Sequence, residues 1–340
     1  MVTIKDVAAK AGVNPSTVSR VLKDNASISQ KTKEKVRGAM AELCYVPNVA
    51  AQMLASGLTY NIGVVFPPLL TPDRLSEPFF MQILTTITNE AKEQGFTVSI
   101  ATGMTKDELE EQVKLMHLQK RVDGFIILYS DGKDLVRQYL MEQKTPFVIV
   151  GASDGFEREI TYIDNDNQLM GKMALEYLYE KGHRAIQFIT DDLDSEISEE
   201  RYVGYVRGAG KLDLVSHPAQ LFDSNDPVVL EELIDSIKEN QTTGLIVIGD
   251  TVSVRLMQFL SFYQLNVPHD ISIITFNNST FSKLIHPYLT TFDINVNNLG
   301  RTSVRRLLQI IRTPKMVFSE KIIVPFLLKE RESVRDLKKK

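Results

Sequence analysis

The residues best suited to chemistry in this 340-residue chain lie near its start, where Arg20 follows the run Asn14-Pro15-Ser16-Thr17-Val18-Ser19. On a helix begun by Asn14 and Pro15, Val18 and Val21 fall on the inward side, while Pro15, Ser16, Ser19 and Arg20 fall on or near the outer one. A guanidinium so placed can make paired hydrogen bonds to guanine O6 and N7, worth about 1 to 3 kcal/mol of discrimination between base pairs. The hydroxyls of Ser16 and Thr17 can bond a base edge or a phosphate. This is the chemistry of recognition. Bond-making chemistry finds no comparable support. His117, His183, His217, His269 and His286 are scattered and none falls in a metal-ligand spacing such as HExxH. Neither a GxxxxGK[ST] phosphate loop nor a Gly-x-Ser-x-Gly elbow is present. No catalytic residue, metal or cofactor is expected.

Three short helices must position Arg20. Thr3 can cap the first, with Asp6 three residues on as in a capping box, and Ile4, Val7 and Ala8 supply its inward face. Ala11-Gly12-Val13 makes a tight turn, and the second helix runs to about Leu22. Ser29 can cap a third helix whose buried stripe is Val36, Ala39, Met40 and Leu43, and His183 reads as a helix-end or loop residue. Two short helices joined by a Gly-containing turn form a helix-turn-helix, with the second helix as reader. A further short helix is expected from Pro47-Asn48 through Ala55, ended by Ser56-Gly57. It is too short to be stable alone in water, so it should order only with DNA and a partner subunit.

From about residue 61 apolar runs alternate with amphipathic stretches. Strands are expected at 62–66, 97–101, 124–129, 147–150, 185–190, 219–222, 244–248 and 271–276, with helices at 77–94, 106–120, 166–181, 227–240 and 251–264 between them. This alternation implies parallel sheets covered by helices on both faces, and 280 residues suit two such sheets better than one. The expected organisation is a small all-α helix-turn-helix domain at 1–45, a hinge helix and linker at 46–60, and an α/β body of two parallel-sheet subdomains at 61–340.

The composition, 43% hydrophobic and 24% charged, is that of a globular protein. The single cysteine, Cys44, excludes an intramolecular disulfide and a thiolate zinc site and suits a reducing cytoplasm. No run of 18 apolar residues and no signal-peptide centre is present, so neither export nor a membrane span is expected. A net charge of −4 argues at first against a nucleic-acid partner. Its distribution says otherwise: the first 60 residues hold eight basic and four acidic side chains, leaving −8 on the remainder.

The stretch from Ile4 to Leu22, IKDVAAKAGVNPSTVSRVL, resembles the DNA-reading helix-turn-helix of the LacI/GalR family of bacterial repressors, with Asn14 where Ser or Thr is more usual. The resemblance covers the whole chain. Tyr45 to Leu54 resembles the family hinge, the α/β region resembles its periplasmic-binding-protein-like sensor, and within the family the similarity is to maltose-operon repressors of Gram-positive bacteria. It implies base or phosphate contacts from Asn14, Pro15, Ser16, Thr17, Ser19 and Arg20, and phosphate contacts from Thr3, Asn25 and Lys31. It also implies that the hinge residues Asn48, Ala51 and Leu54 meet the minor groove, with Leu54 as an apolar wedge that kinks the duplex. Gln52 and Ala55 stand where family hinges are often basic, and Cys44 where Gly is common.

Open α/β sheets bind ligands at the carboxyl ends of their strands, which here carry Phe66, Ser130-Asp131, Gly151, Asp191, Gly249-Asp250 and Phe276-Asn277. Aromatic faces with a few carboxylates and amides suit a sugar. The resemblance adds Arg201 as an effector-binding residue, Asp250 as the acidic residue after a sensor strand, and Phe79 and Phe80 as the aromatic entry to the first sensor helix. The expected protein is a cytoplasmic homodimeric repressor of sugar-utilisation genes, released from double-stranded operator DNA by a maltose-like effector. Two alternatives stay open: a global carbon-catabolite regulator using a phosphorylated carrier protein as corepressor, and a sugar-binding protein that does not engage DNA.

Overall fold

The computed structural model describes residues 2–22, 24–46, 53, 56–68, 77–129, 134–151, 160–313 and 319–339. The chain divides into two compact units, Met1–Thr59 and Tyr60–Lys340.

The first unit is built from α1 (Ile4–Ala11), α2 (Pro15–Leu22) and α3 (Gln30–Glu42). At the head of α1 the Asp6 carboxylate accepts both the N–H and the hydroxyl of Thr3, each at 2.7 Å. Gly12 ends the helix at φ +62°, a conformation that costs a Cβ-bearing residue about 1 to 2 kcal/mol. It turns the chain so that α2 crosses α1. At the head of α2 the Asn14 carbonyl accepts the N–H groups of Thr17 and Val18, the first hydrogen bonds of the helix. Val7, Ala8, Ala11, Val18, Val21, Val36 and Ala39 close a small core, with Met40 and Leu43 packed on its edge. At the end of α3, Cys44 adopts φ +47° and the Tyr45 N–H returns to the Met40 carbonyl. The glycine-like place expected for Cys44 is therefore a left-handed helix end. The hinge helix expected over residues 47–55 falls largely outside the described residues. Gly57, at φ +74° with its N–H on the Met53 carbonyl, has helix-ending geometry.

The second unit has two lobes, each around a six-stranded sheet. In the first lobe β1 (Asn61–Val65), α4 (Pro78–Glu93), β2 (Thr97–Ala101), α5 (Lys106–Leu118), β3 (Phe125–Ile127), α6 (Leu135–Glu142), β4 (Phe147–Val150) and β5 (Thr161–Asp164) follow one another. The chain then passes to the second lobe: α7 (Asn167–Glu180), β6 (Ile186–Thr190), α8 (Glu196–Lys211), β7 (Gln220–Leu221), α9 (Pro227–Glu239), β8 (Gly244–Val247), α10 (Asp250–Phe262), β9 (Ser272–Phe276) and β10 (Thr290–Asp293). It returns through α11 (Val296–Arg312) to β11 (Lys321–Ile323), and crosses once more to β12 (Leu327–Lys329). The first sheet runs β11-β5-β4-β3-β1-β2, all parallel. The second runs β12-β10-β9-β8-β6-β7, parallel except for β12.

Alternation along the strands explains the two-faced cover. Val64, Ile126 and Val148 pack in one core with Ile83 and Ile87 of α4 and Leu307 of α11. Their neighbours Val65, Ile127 and Ile149 pack on the other face with Leu109 and Val113 of α5 and Leu140 of α6. Sheet two repeats the scheme, with Phe188 and Ile246 toward α7 and α8 and Ile189 and Val247 toward α9 and α10. His183, expected at a helix end or in a loop, is 1% exposed and bridges the Thr243 hydroxyl (3.0 Å) and the Arg335 carbonyl (3.1 Å). It ties the C-terminal segment to the second lobe.

Three successive passages therefore link the lobes, at residues 165–166, 294–295 and 324–326. The carboxyl ends of both sets of parallel strands lie beside these passages, which is where a ligand between the lobes would sit.

Candidate functional site

In the first unit, α2 buries Val18 and Val21 and leaves Pro15, Ser16 and Arg20 exposed, with Thr17 and Ser19 half-buried. Helical periodicity forces this separation, and the small core fixes the helix that carries Arg20. Asn14, Asn25 and Lys31 are exposed, as is Thr3, whose hydroxyl proton is held by Asp6. The Asn25 carboxamide oxygen accepts the Ser27 N–H at 2.9 Å and stiffens the turn before α3. Several basic residues are already paired: Lys10 with Glu42 at 2.9 Å, and Lys33 and Arg37 with Asp24 at 2.9 and 3.1 Å. Hydrogen bonding and attraction from Lys33, then Arg37, hold the Asp24 carboxyl below its usual range. Among the described residues Lys5, Arg20, Lys31 and Lys35 form no ion pair, leaving their charge free for an anionic surface. Asn48, Ala51 and Leu54 lie outside the described residues.

In the second unit the expected residues come from both lobes. Phe66, just after β1, lies 5.5 Å from Phe80, which in turn packs edge-on against Phe79 at 5.4 Å. All three are half-buried, so ring surface remains toward solvent. Glu77, at the head of α4, lies against the second lobe. Burial raises its pKa, the Thr251 hydroxyl counters this, Asp191 adds to the rise and Arg255 opposes it.

Across from the aromatic group, Arg201 of α8 is 5% exposed. Its Nε donates to Asn167 Oδ1 at 3.0 Å, its Nη1 donates to the Ile248 carbonyl at 2.8 Å, and its guanidinium lies 4.2 Å over the Phe276 ring. Burial lowers its pKa to about 10, with Asp164 and Asp250 opposing, so it stays charged at neutral pH. What brings Arg201 there is an unusually close helix pair. A Cβ on Gly171 of α7 would stand 1.9 Å from the Arg201 carbonyl oxygen, and one on Gly204 of α8 would stand 2.0 Å from that of Gln168. Only glycine permits these helices to meet so closely.

The structure changes the reading of two residues. Phe276 is fully buried, stacked on Phe292 at 5.5 Å, and offers one face to Arg201. It supports the cleft from behind. Asp250 is 1% exposed, and its two carboxylate oxygens accept the Ser279 N–H (2.5 Å) and the Thr291 hydroxyl (3.1 Å). Burial pushes its pKa up to about 7 against the pull of those hydrogen bonds. Its direct work is to pin α10 to β10 and to the loop after β9. Asp131 lies outside the described residues.

Asn277, in contrast, faces a cavity of about 430 Å³ beside the passages between lobes, together with Gln82, Asn278, Asp293, Asn295 and Asn297. Sequence reasoning missed the last five. Asn277 and Asn278 both have positive φ, at 93° and 52°, and Asn295 caps α11 at φ +56°. Consecutive asparagines after an apolar strand are a readable sign of such backbone, since Asn tolerates the left-handed region better than most residues. The arrangement offers amide donors and acceptors with a single carboxylate and no lining lysine or arginine among the described residues, which suits an uncharged polyhydroxylated ligand.

Comparison with known proteins agrees with both halves. Residues 3–48 match the family described as bacterial regulatory proteins, lacI family, and residues 175–334 match the periplasmic binding protein-like domain. The HTH-type transcriptional regulator MalR of Staphylococcus xylosus is 32% identical over 335 residues, 98% of each chain. The solved transcriptional regulator CelR–cellobiose complex is similar at TM-score 0.73 and 27% identity, covering 98% of this chain and 100% of that one. The lac repressor dimer bound to operator and the anti-inducer ONPF is similar at TM-score 0.75 and 27% identity, covering 98% and 99%.

Proposed function

The chain belongs to the lacI family of bacterial regulatory proteins and is a transcriptional repressor, not an enzyme; from that premise we propose that it acts in the cytoplasm as a homodimer on a roughly two-fold symmetric operator, and that a maltose-like sugar releases it. The observation that carries this reading is the pairing of an exposed Arg20 on α2 with a two-lobed second unit that has an amide-lined cavity and, after β1, a half-buried cluster of aromatic rings. Arg20, with Ser16, Thr17 and Ser19, reads bases, while Thr3, Asn14, Pro15, Asn25 and Lys31 place the module on the phosphates. Asn48, Ala51 and Leu54 enter the minor groove from paired hinge segments. Phe66, Phe79 and Phe80 stack on the sugar ring, Asn277 and its neighbouring amides bond the hydroxyls, and Arg201, Asp250 and Phe276 hold that surface in place.

The similarity to MalR and to the cellobiose-bound CelR supports a disaccharide, and the resemblance to maltose-operon repressors favours an α-glucoside. The lac repressor dimer on operator supports the paired arrangement on DNA. Control follows from linkage: DNA stabilises one setting of lobes and hinge segments, sugar another, and each ligand weakens the other by the same factor. The test is selection of duplexes from a random pool by the full-length protein. A two-fold symmetric consensus is expected, and recovery of unrelated sequences would refute specific reading.

A further inference from the structure

Three passages join the lobes, and one buried side chain holds all of them. Asn165, in the first passage, is 3% exposed. Its amide group donates to the Ile294 carbonyl in the second passage at 3.1 Å and to the Val324 carbonyl in the third at 2.8 Å. The amide can face only one way, because reversal would set its oxygen against two carbonyl oxygens. The Asn165 N–H donates to Asp164 Oδ1 at 2.7 Å, and the other oxygen of Asp164 accepts from Asn167 Nδ2 at 2.7 Å. Asn167 Oδ1 then accepts from Arg201 Nε at 3.0 Å, and Arg201 Nη1 donates to the Ile248 carbonyl at 2.8 Å, just beyond β8. Asp164, Asn165, Asn167 and Arg201 are all buried. Rotation of any member would leave its neighbours unsatisfied where no water replaces the lost bond, so the run has one arrangement for a given setting of the lobes.

We propose that Asn165 is the positioning residue that fixes the angle between the lobes, and that Asn167, through Asp164, ties this pin to Arg201 in the second lobe. Movement of the Arg201 guanidinium, which packs on Phe276 beside the cavity-lining Asn277, is thereby passed to the three passages at once. An occupant of the cleft gains leverage over the whole second unit by touching one corner of it.

The test uses full-length protein with Cys44 replaced by Gly and spin labels at Glu111→Cys in α5 and Glu232→Cys in α9, diluted with unlabelled chain so that only intramolecular pairs are read. Both positions are exposed. Pulsed dipolar spectroscopy should give one narrow distance for this parent. Asn165→Asp keeps the size and removes both donors, and should broaden the distribution or shift it by a few ångström. Asn167→Ala leaves the passage bonds of Asn165 in place and should produce a smaller change. Gln187→Ala, which removes another buried amide bonded to Ser236 within the second lobe, should leave the distance unchanged. A folded Asn165→Asp protein with the parental distribution overturns the pin, and a parental distribution for Asn167→Ala overturns its link to Arg201. Should Asn165→Asp not fold, Asn165→Ala, which also removes both donors, is read in its place with the same two outcomes. The measurement needs neither sugar nor DNA, so its outcome is separate from that of the effector reading.

Discussion

Replacing Arg20 by alanine removes the one guanidinium on the exposed side of α2 and leaves Val18 and Val21 in their core. The variant should lose about 1 to 3 kcal/mol of preference for the selected duplex over one altered at the contacted base pair. Its sugar affinity should not change. Competition binding with matched and altered duplexes measures the difference, and an undiminished preference would remove Arg20 from the reading surface. At the end of α3, Cys44 is held at φ +47° where no side chain is needed. Cys44→Gly should stabilise the first unit by about 1 kcal/mol, read as a raised denaturant midpoint; a lowered midpoint would show that the side chain, not the backbone, matters there.

Buried carboxylates give the residue scale a pH signature. Asp250 and Asp164, pushed up to about 7 and about 6 by burial, prefer to be neutral in the folded protein. Their contribution to stability is full below the unfolded carboxylate range near pH 4 and is lost as pH rises through 6 to 7. Asp250→Asn can accept from Ser279 through its oxygen and donate to Thr291 through its nitrogen, so both contacts survive without an ionisable group. Stability measured from pH 4.5 to 8 should fall less steeply in this variant, by up to about 1 kcal/mol per pH unit. Parallel curves for the two proteins would contradict the assignment.

At the scale of elements, α7 and α8 bring Arg201 against Phe276, behind the cleft, only because Gly171 and Gly204 let their backbones touch. Gly204→Ala places a Cβ 2.0 Å from the Gln168 carbonyl oxygen, so the helices must part. The expected cost is about 1 to 3 kcal/mol of stability, with weaker sugar binding. DNA reading by the isolated α2 surface should remain. A thermal unfolding scan with calorimetric titration checks both, and unchanged values for each would deny α8 its positioning role. The same helix shows where the sequence is hard to read. Residues 196–211 contain three glycines and did not read as a helix, since intrinsic propensity opposes what tertiary contact secures. The helix-turn-helix was legible to the residue because its caps, turn glycine and apolar spacing agree with one another. The first strands of both sheets were legible too, as apolar runs bounded by turns. The strands β5, β10, β11 and β12 are three or four residues long and include polar residues such as Thr161, Asp164, Thr290, Asp293, Lys321 and Lys329, so they lack the continuous apolar run that marks β3, β4 and β8, and with them went the three passages between lobes. The cavity lies beside the strand end at Phe276-Asn277 that the sequence marks, while Asn278 follows directly on that strand and the amides Asn295 and Asn297 come with the unread β10 and α11.

For the whole molecule, the overall charge of −4 conceals the division of labour. On the proposed function, free basic side chains on the first unit serve an anionic partner, and the polar cleft of the second unit, acidic overall, serves a neutral one. Two ligands of such different chemistry can oppose each other only through a shared change of shape. In the proposed mechanism the three passages bonded by Asn165 are where the lobes are reset, and the hinge residues of paired subunits are where DNA feels it. A dimer also doubles the modest number of free cations that each first unit presents, so affinity should rest on specific contacts made twice.

The most direct measurement of this account is fluorescence anisotropy of a labelled duplex, selected by the protein itself, titrated with full-length protein in the absence and presence of saturating maltose. Tight binding is expected without sugar, and a fall in affinity of roughly 5- to 150-fold with it, the range of ordinary coupling free energies. Operator affinity that stays the same at saturating sugar would contradict it.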